Sequence, residues 1–162
     1  MAKITFGNKV TLNPQPDIAR ENKVIDDDMN EIKTVVNGND DIVNKLKGTI
    51  LWTNSAPTSA FSSQTVTLSS NDYDMLEIYY KKDPSSYVVA SVKILKGQST
   101  ILSINHISTN LYHRNRVMTY VSDTSYTFDI GIQIPTNSSS LDHNAQYIIP
   151  LYIIGYKTGL FS

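Results

Sequence analysis

The 162-residue chain contains no cysteine, which excludes disulfide bonds, thiol catalysis and cysteine-ligated zinc or iron–sulfur sites. It also lacks any apolar run near the roughly 20 residues of a membrane-spanning helix, so we expect no membrane insertion. Lysine and arginine form no basic stripe and the formal net charge is -1, which argues against a nucleic-acid partner. The first residues, MAKITFGNKV, contain no apolar signal-peptide core. We therefore expect synthesis in a cytoplasm.

Motifs for catalysis and cofactor binding are also absent. The chain has only seven glycines, with no glycine-rich phosphate loop and no Gly-x-Ser-x-Gly nucleophile elbow. His106, His113 and His143 do not form the close spacings of a metal site. The sequence therefore predicts no enzyme activity, no metal site and no cofactor. Glycoside hydrolysis needs only two carboxylates across a cleft, so a glycan depolymerase remains the weakest alternative.

An amphipathic pattern dominates the first third of the chain. Between residues 25 and 46 the apolar residues fall at the a and d positions of a heptad, and an asparagine fills one of these positions. The seam consists of Ile25, Met29, Ile32, Val36, Asn39, Val43 and Leu46. We predict an oligomerising helix over 25–48, preceded by an N-terminal arm at 1–24. Gly38 lies in a turn-like Asn-Gly-Asn-Asp run and could break the helix, but the unchanged heptad phase favours continuity.

The remainder of the chain, 49–162, has short β-type runs separated by polar turns, and we predict a β-sandwich head. Leu76, Ile78 and Tyr80 alternate with polar or amphipathic residues, as in an antiparallel strand with one buried face. Pro150 predicts a bulge or an edge in the last strand. The candidate strands are 49–54, 64–69, 74–81, 87–96, 100–107, 116–122, 125–134 and 146–157. The predicted fold class is α+β, with an N-terminal helical, coiled-coil-like stalk followed by an antiparallel β-sandwich or jelly-roll-like head.

Two groups of residues are candidates for ligand binding. The first is Tyr112, His113, Arg114 and Arg116, in a loop or strand edge, because aromatic rings cover sugar faces and guanidiniums bind hydroxyls or phosphates. The second is Tyr79 and Tyr87, which flank the turn at 81–86. The alternatives are a solvated connection for the first group and cross-strand aromatic packing for the second.

Four segments of the chain resemble segments of structural proteins from tailed bacteriophages. They are Asn22–Lys33, Gly48–Asn54, Ser70–Asp74 and Ile149–Lys157. The resemblance implies a virion fibre or receptor-binding-type protein, a homotrimer with an N-terminal helical bundle and a C-terminal β head. It also implies localisation in the virion, release from the host by lysis, and docking onto other virion proteins through residues 1–24.

Three functions follow as hypotheses. The first is a trimeric fibre or baseplate head that recognises a host cell-surface polysaccharide, with several heads engaging together. The second is a purely structural part, such as a head fibre, connector or decoration protein without receptor binding. The third is the glycan depolymerase.

Overall fold

The computed structural model describes residues 26–107, 111–135 and 140–159. The chain divides into two units, with the boundary between Lys47 and Gly48. The predicted docking arm at 1–24 lies outside the described residues. Within the described ranges, no helix is long and apolar enough to cross a membrane.

Helix α1 spans Asp26–Leu46 and runs through Gly38 without a break, which confirms the prediction of continuity. A side chain at Gly38 would meet no other atom within 4 Å, so the glycine marks no close contact. Gly48, with a φ of 47°, follows the helix and supplies the left-handed conformation that commonly ends one.

The predicted α+β class with a coiled-coil-like stalk is wrong. The described chain is mainly antiparallel β-sheet with a single helix, and no coiled-coil stalk is formed. The heptad spacing identifies an amphipathic face, but a coiled coil also requires a second helix whose side chains fill that seam. Ile32 and Val43 of the predicted seam are 51% and 48% exposed. Ile25, the first residue of the predicted seam, lies outside the described residues.

The described residues of the β domain form ten strands in two antiparallel sheets. The strands are β1 Thr49–Thr53, β2 Gln64–Thr67, β3 Met75–Lys81, β4 Val89–Leu95, β5 Thr100–Ile107, β6 Leu111–Ser122, β7 Ser125–Phe128, β8 Ile132–Pro135, β9 Asp142–His143 and β10 Ile149–Tyr156. The four-stranded sheet has the order β1-β10-β3-β4. The six-stranded sheet has the order β2-β7-β6-β8-β9, with β5 paired to β6. This sandwich-like arrangement agrees with the architecture predicted for the head.

One hydrophobic core joins side chains from both sheets. Leu76 and Ile78 of β3 are fully buried, as their alternation predicts, and so is Phe128 of β7 in the other sheet. Trp52 and Phe61 pack on Phe128 with ring centroids 6.0 and 5.6 Å from it. Phe61 and Phe128 are buried and Trp52 is partly buried, so all three rings contribute to the hydrophobic stabilisation of the domain.

The structure revises several predicted strand boundaries. β6 begins at Leu111, so the stretch predicted as a loop or strand edge is a regular part of a 12-residue strand. The predicted strand 125–134 divides into β7 and β8, because the chain leaves the ladder at 129–131. The irregularity predicted at Pro150 is confirmed by a register shift between Pro150 and Tyr152.

Candidate functional site

Strand β6 separates the first group of predicted binding residues. Successive side chains of a strand point to opposite faces, so Tyr112, Arg114 and Arg116 share one face and His113 lies on the other. The His113 Nδ1 atom is 2.6 Å from Asn105 Oδ1 on the neighbouring strand β5. The four residues therefore do not form a single patch.

Arg116 lies in the interior of the domain and is fully buried. Its guanidinium donates to backbone carbonyls alone: Ile148 O at 2.6 Å, Tyr147 O at 2.8 Å, Ala145 O at 3.3 Å, and Asp129 O. Its Cζ atom also lies 5.2 Å from the ring centroid of Phe61. Burial lowers the pKa of Arg116 to about 10, so the side chain is still cationic at neutral pH. Arg116 therefore holds these backbone carbonyls in place inside the domain.

The carbonyls that Arg116 binds belong largely to the segment 144–148, which has an unusual backbone. Ile148 has a φ of 51° although it is β-branched and fully buried. Such a conformation costs on the order of 1–3 kcal/mol and persists only where surrounding contacts enforce it. The Ile148 amide donates to Lys82 O at 3.0 Å and the Ile148 carbonyl accepts from Arg116. Strained segments of this kind concentrate at binding sites, so the surface that this segment forms is a candidate site.

The adjacent surface contains a cleft of about 420 Å³, which we call the Arg114 cleft. The guanidinium of Arg114 lies 4.4 Å from the ring centroid of Tyr147. Its Nε donates to Gln133 Oε1 at 2.7 Å, and its Nη1 donates to Asp83 Oδ2 at 3.1 Å. The side chain is only 13% exposed, so these contacts fix its position. The cleft is lined by Thr58, Ala60, Asp83, Pro84, Ser85, Arg114, Gln146 and Tyr147.

The charged groups around this cleft are held in defined ionisation states. Burial tends to raise the pKa of Asp83, but a hydrogen bond from Ser85 and the charges of Lys82 and Arg114 outweigh it and lower the pKa. Burial and a hydrogen bond to Asp142 raise the pKa of Tyr147, so its hydroxyl stays protonated. At neutral pH the cleft therefore presents a carboxylate, a guanidinium and a protonated phenol.

A second cleft of about 410 Å³ lies beside the first, and we call it the Lys81 cleft. The two share Thr58, Pro84 and Ser85, so they lie on either side of the same turn. Tyr87, one of the predicted binding residues, is fully exposed at this second cleft. Its lining consists of Thr58, Lys81, Pro84, Ser85, Ser86 and Tyr87.

Tyr79 lines neither cleft and lies on the outer face of the four-stranded sheet. Its ring stacks on Tyr152 of β10 with centroids 4.6 Å apart, which is the cross-strand packing predicted as its alternative role. On the same face Glu77 accepts hydrogen bonds from Tyr156 at 2.8 Å and from Ser91 at 2.9 Å. These contacts form a polar and aromatic network across the sheet.

The network around Glu77 gives a testable pH dependence. Burial tends to raise the pKa of Glu77, but hydrogen bonds from Tyr156 and Ser91 and the charge of Lys93 outweigh it, so the pKa is lowered from 4.5. The stabilisation is therefore present above pH 4.5 and is lost as the pH falls through the folded-state pKa. We expect Glu77→Gln to lose about 1–3 kcal/mol of unfolding free energy at pH 7 and little in strong acid. Urea unfolding of both proteins across pH 2.5–8 measures this; a pH-independent difference would contradict the prediction.

The sequence pattern identified Arg114 and Tyr87 among the residues of the two clefts, but it missed Asp83, Gln146 and Tyr147. Asp83 lies in a run predicted as a turn, and Gln146 and Tyr147 lie in a predicted strand. The left-handed Ile148 interrupts that strand and places Tyr147 beside Arg114. No local signal in the sequence marks a left-handed isoleucine.

Comparison of the chain with protein-family models, with curated proteins and with solved structures finds no match. Within the residues that the structure describes, no group of three or more histidine, cysteine, aspartate or glutamate side chains is arranged to hold a metal ion. The function is therefore inferred from the geometry of the clefts and from the sequence resemblance.

Proposed function

We propose that the β domain binds a saccharide in the Arg114 cleft, and that the protein is a virion component of a tailed phage that recognises a host cell-surface polysaccharide. The observation that carries the proposal is the Arg114–Tyr147 pair, in which a fixed guanidinium and an aromatic ring lie beside an ionised Asp83. The phage context, the virion localisation and the homotrimer come from the sequence resemblance.

The lining of this cleft matches the chemistry of a sugar. Sugar hydroxyls both donate and accept hydrogen bonds, and Asp83 accepts while the exposed amide of Gln146 does both. Tyr147 lines the cleft, and the face of an aromatic ring packs well against the C–H groups of a pyranose ring. Because Arg114 and the strained segment are already held in place, little conformational entropy is lost when a ligand binds.

The proposal predicts that binding depends on Arg114 and not on the opposite face of the same strand. We expect Arg114→Gln to weaken saccharide binding at least about tenfold, because it removes a charge-assisted donor from the cleft. His113→Gln is the matched control, since His113 lies on the other face of β6. A glycan array, followed by calorimetry on the hits, measures both variants.

Two outcomes would contradict this function. A folded full-length protein that binds no glycan on the array and no wall polysaccharide from a susceptible host would remove the saccharide proposal. Release of reducing sugar from a bound polysaccharide would instead indicate the depolymerase, and we expect none.

A purely structural role is the second candidate, and exposed apolar surface favours it. Tyr87, Val88 and Val89 follow one another in the chain, and all three are exposed. The helix separately exposes Val35 and Ile42. Contiguous exposed apolar groups mark contacts between proteins. A component that assembles into particles but binds no host polysaccharide would fit this candidate.

A further inference from the structure

The Lys81 cleft contains a cation whose charge is not balanced by a carboxylate. Lys81 is only 8% exposed, and its Nζ atom donates to the Pro84 carbonyl at 2.7 Å. Among the described residues of the β domain, every other lysine pairs with a carboxylate, whereas no such pair forms at Lys81. An ammonium group has three N–H donors, and the Pro84 carbonyl accepts only one of them. A negatively charged ligand group would accept further hydrogen bonds from Lys81 and balance its charge.

The remaining lining of the cleft suits an oxyanion. The Ser86 Oγ atom accepts the Val88 amide hydrogen at 3.2 Å, which leaves its hydroxyl proton available to donate. Thr58 contributes a further hydroxyl to the lining, and the fully exposed ring of Tyr87 forms the edge. Hydroxyl donors around an ammonium group are typical of sites for phosphate or carboxylate groups.

The position of this cleft links it to the Arg114 cleft. Both clefts share Thr58, Pro84 and Ser85, so a ligand that crosses the turn at Pro84 can occupy both. We propose that the Lys81 cleft is an anion subsite, and that the ligand is an anionic saccharide whose sugar ring lies in the Arg114 cleft and whose phosphate or carboxylate group lies against Lys81. The part of this proposal that concerns the sugar rests on the proposed function; the anion subsite does not.

The anion subsite can be tested with small probes and the full-length protein. Titration with inorganic phosphate, followed by amide NMR, should shift the signals of Ser86 and Tyr87, and a parallel titration with acetate distinguishes phosphate from carboxylate preference. Lys81→Met should weaken this response at least about tenfold because it removes the charge while keeping the length of the side chain. Lys93→Met, which removes the same charge from a residue that lines neither cleft, should change it less than about twofold. Lys81→Arg should retain the phosphate response. This variant is the control that separates loss of the charge from loss of the fold.

Different results would overturn the subsite and the proposed function. A phosphate and acetate response that is absent, or that is equal in wild type and Lys81→Met, would overturn the anion subsite. Equal binding of a wall polysaccharide before and after chemical removal of its phosphate and carboxylate groups would overturn the part of the proposal that makes the saccharide anionic, while the saccharide function would stand. Probe binding that depends on Lys81, without binding of any saccharide, would support the subsite and remove the proposed function.

Discussion

Replacement of Arg116 by methionine should destabilise the β domain by about 3–5 kcal/mol, because several carbonyls lose a donor and each buried acceptor left unsatisfied costs about 1–3 kcal/mol. The guanidinium donates to the carbonyls of Asp129, Ala145, Tyr147 and Ile148 from a fully buried position. Methionine fills a similar volume but donates no hydrogen bond, so these carbonyls would lose their buried donor. Urea unfolding at neutral pH measures the loss.

Arg114→Met is the matched control for this experiment. Arg114 lies on the same strand and the same face, but it contacts side chains at the surface, including Asp83 and Gln133. We expect its loss to cost about 1–2 kcal/mol, because its partners regain water when it is removed. Equal losses for the two variants would show that the buried carbonyl contacts of Arg116 contribute no special stability.

Replacement of Gly131 by alanine should both destabilise the domain and weaken saccharide binding. A Cβ atom at this position would lie 2.1 Å from the Tyr147 carbonyl oxygen and 2.8 Å from the Tyr147 Cβ, so the backbone of the segment 144–148 must move. Overpacking of this kind costs about 1–3 kcal/mol, and movement of Tyr147 would separate its ring from Arg114. Thermal unfolding and calorimetry with the saccharide ligand measure the two effects.

Gly97→Ala is the control for this experiment, because it adds a methyl group without displacing the segment 144–148. Gly97 has a φ of 82°, and a Cβ atom added there would meet no other atom within 4 Å, so alanine introduces backbone strain without a collision. We expect a stability loss of about 1 kcal/mol and unchanged saccharide affinity. If Gly131→Ala kept full affinity as well, the position of Tyr147 would not matter for binding.

The helix shows the limit of periodicity as a predictor. The apolar spacing correctly predicts a continuous helix through Gly38, because each helical turn brings residues three and four apart onto one face. The same spacing does not reveal whether a second helix fills that face, since this depends on other chains. The coiled-coil stalk was therefore a wrong inference from a correct local pattern.

The strands also show which features the local pattern predicts and which depend on long-range contacts. Alternation correctly placed Leu76, Ile78 and Tyr80 in the core, because side chains of a strand alternate between two faces. It failed at 111–116, where the mixture of leucine, tyrosine, histidine and arginine resembles a polar connection. Pairing with β5 along its length and with β8 near its start makes this stretch a strand, so long-range hydrogen bonds override the local composition.

For this protein the sequence by itself determined the helix, the β-rich domain and the buried face of β3. These properties follow from the local spacing of apolar residues and from turn-forming residues between strands. Only the tertiary structure decided the role of each charged residue, because burial and partners depend on segments far apart in the chain. It placed Arg116 in the core and Arg114 beside Tyr147, although the two arginines are separated by one residue. It also placed Lys81 in a cleft without a carboxylate partner among the described residues, which the Lys-Lys-Asp run does not indicate.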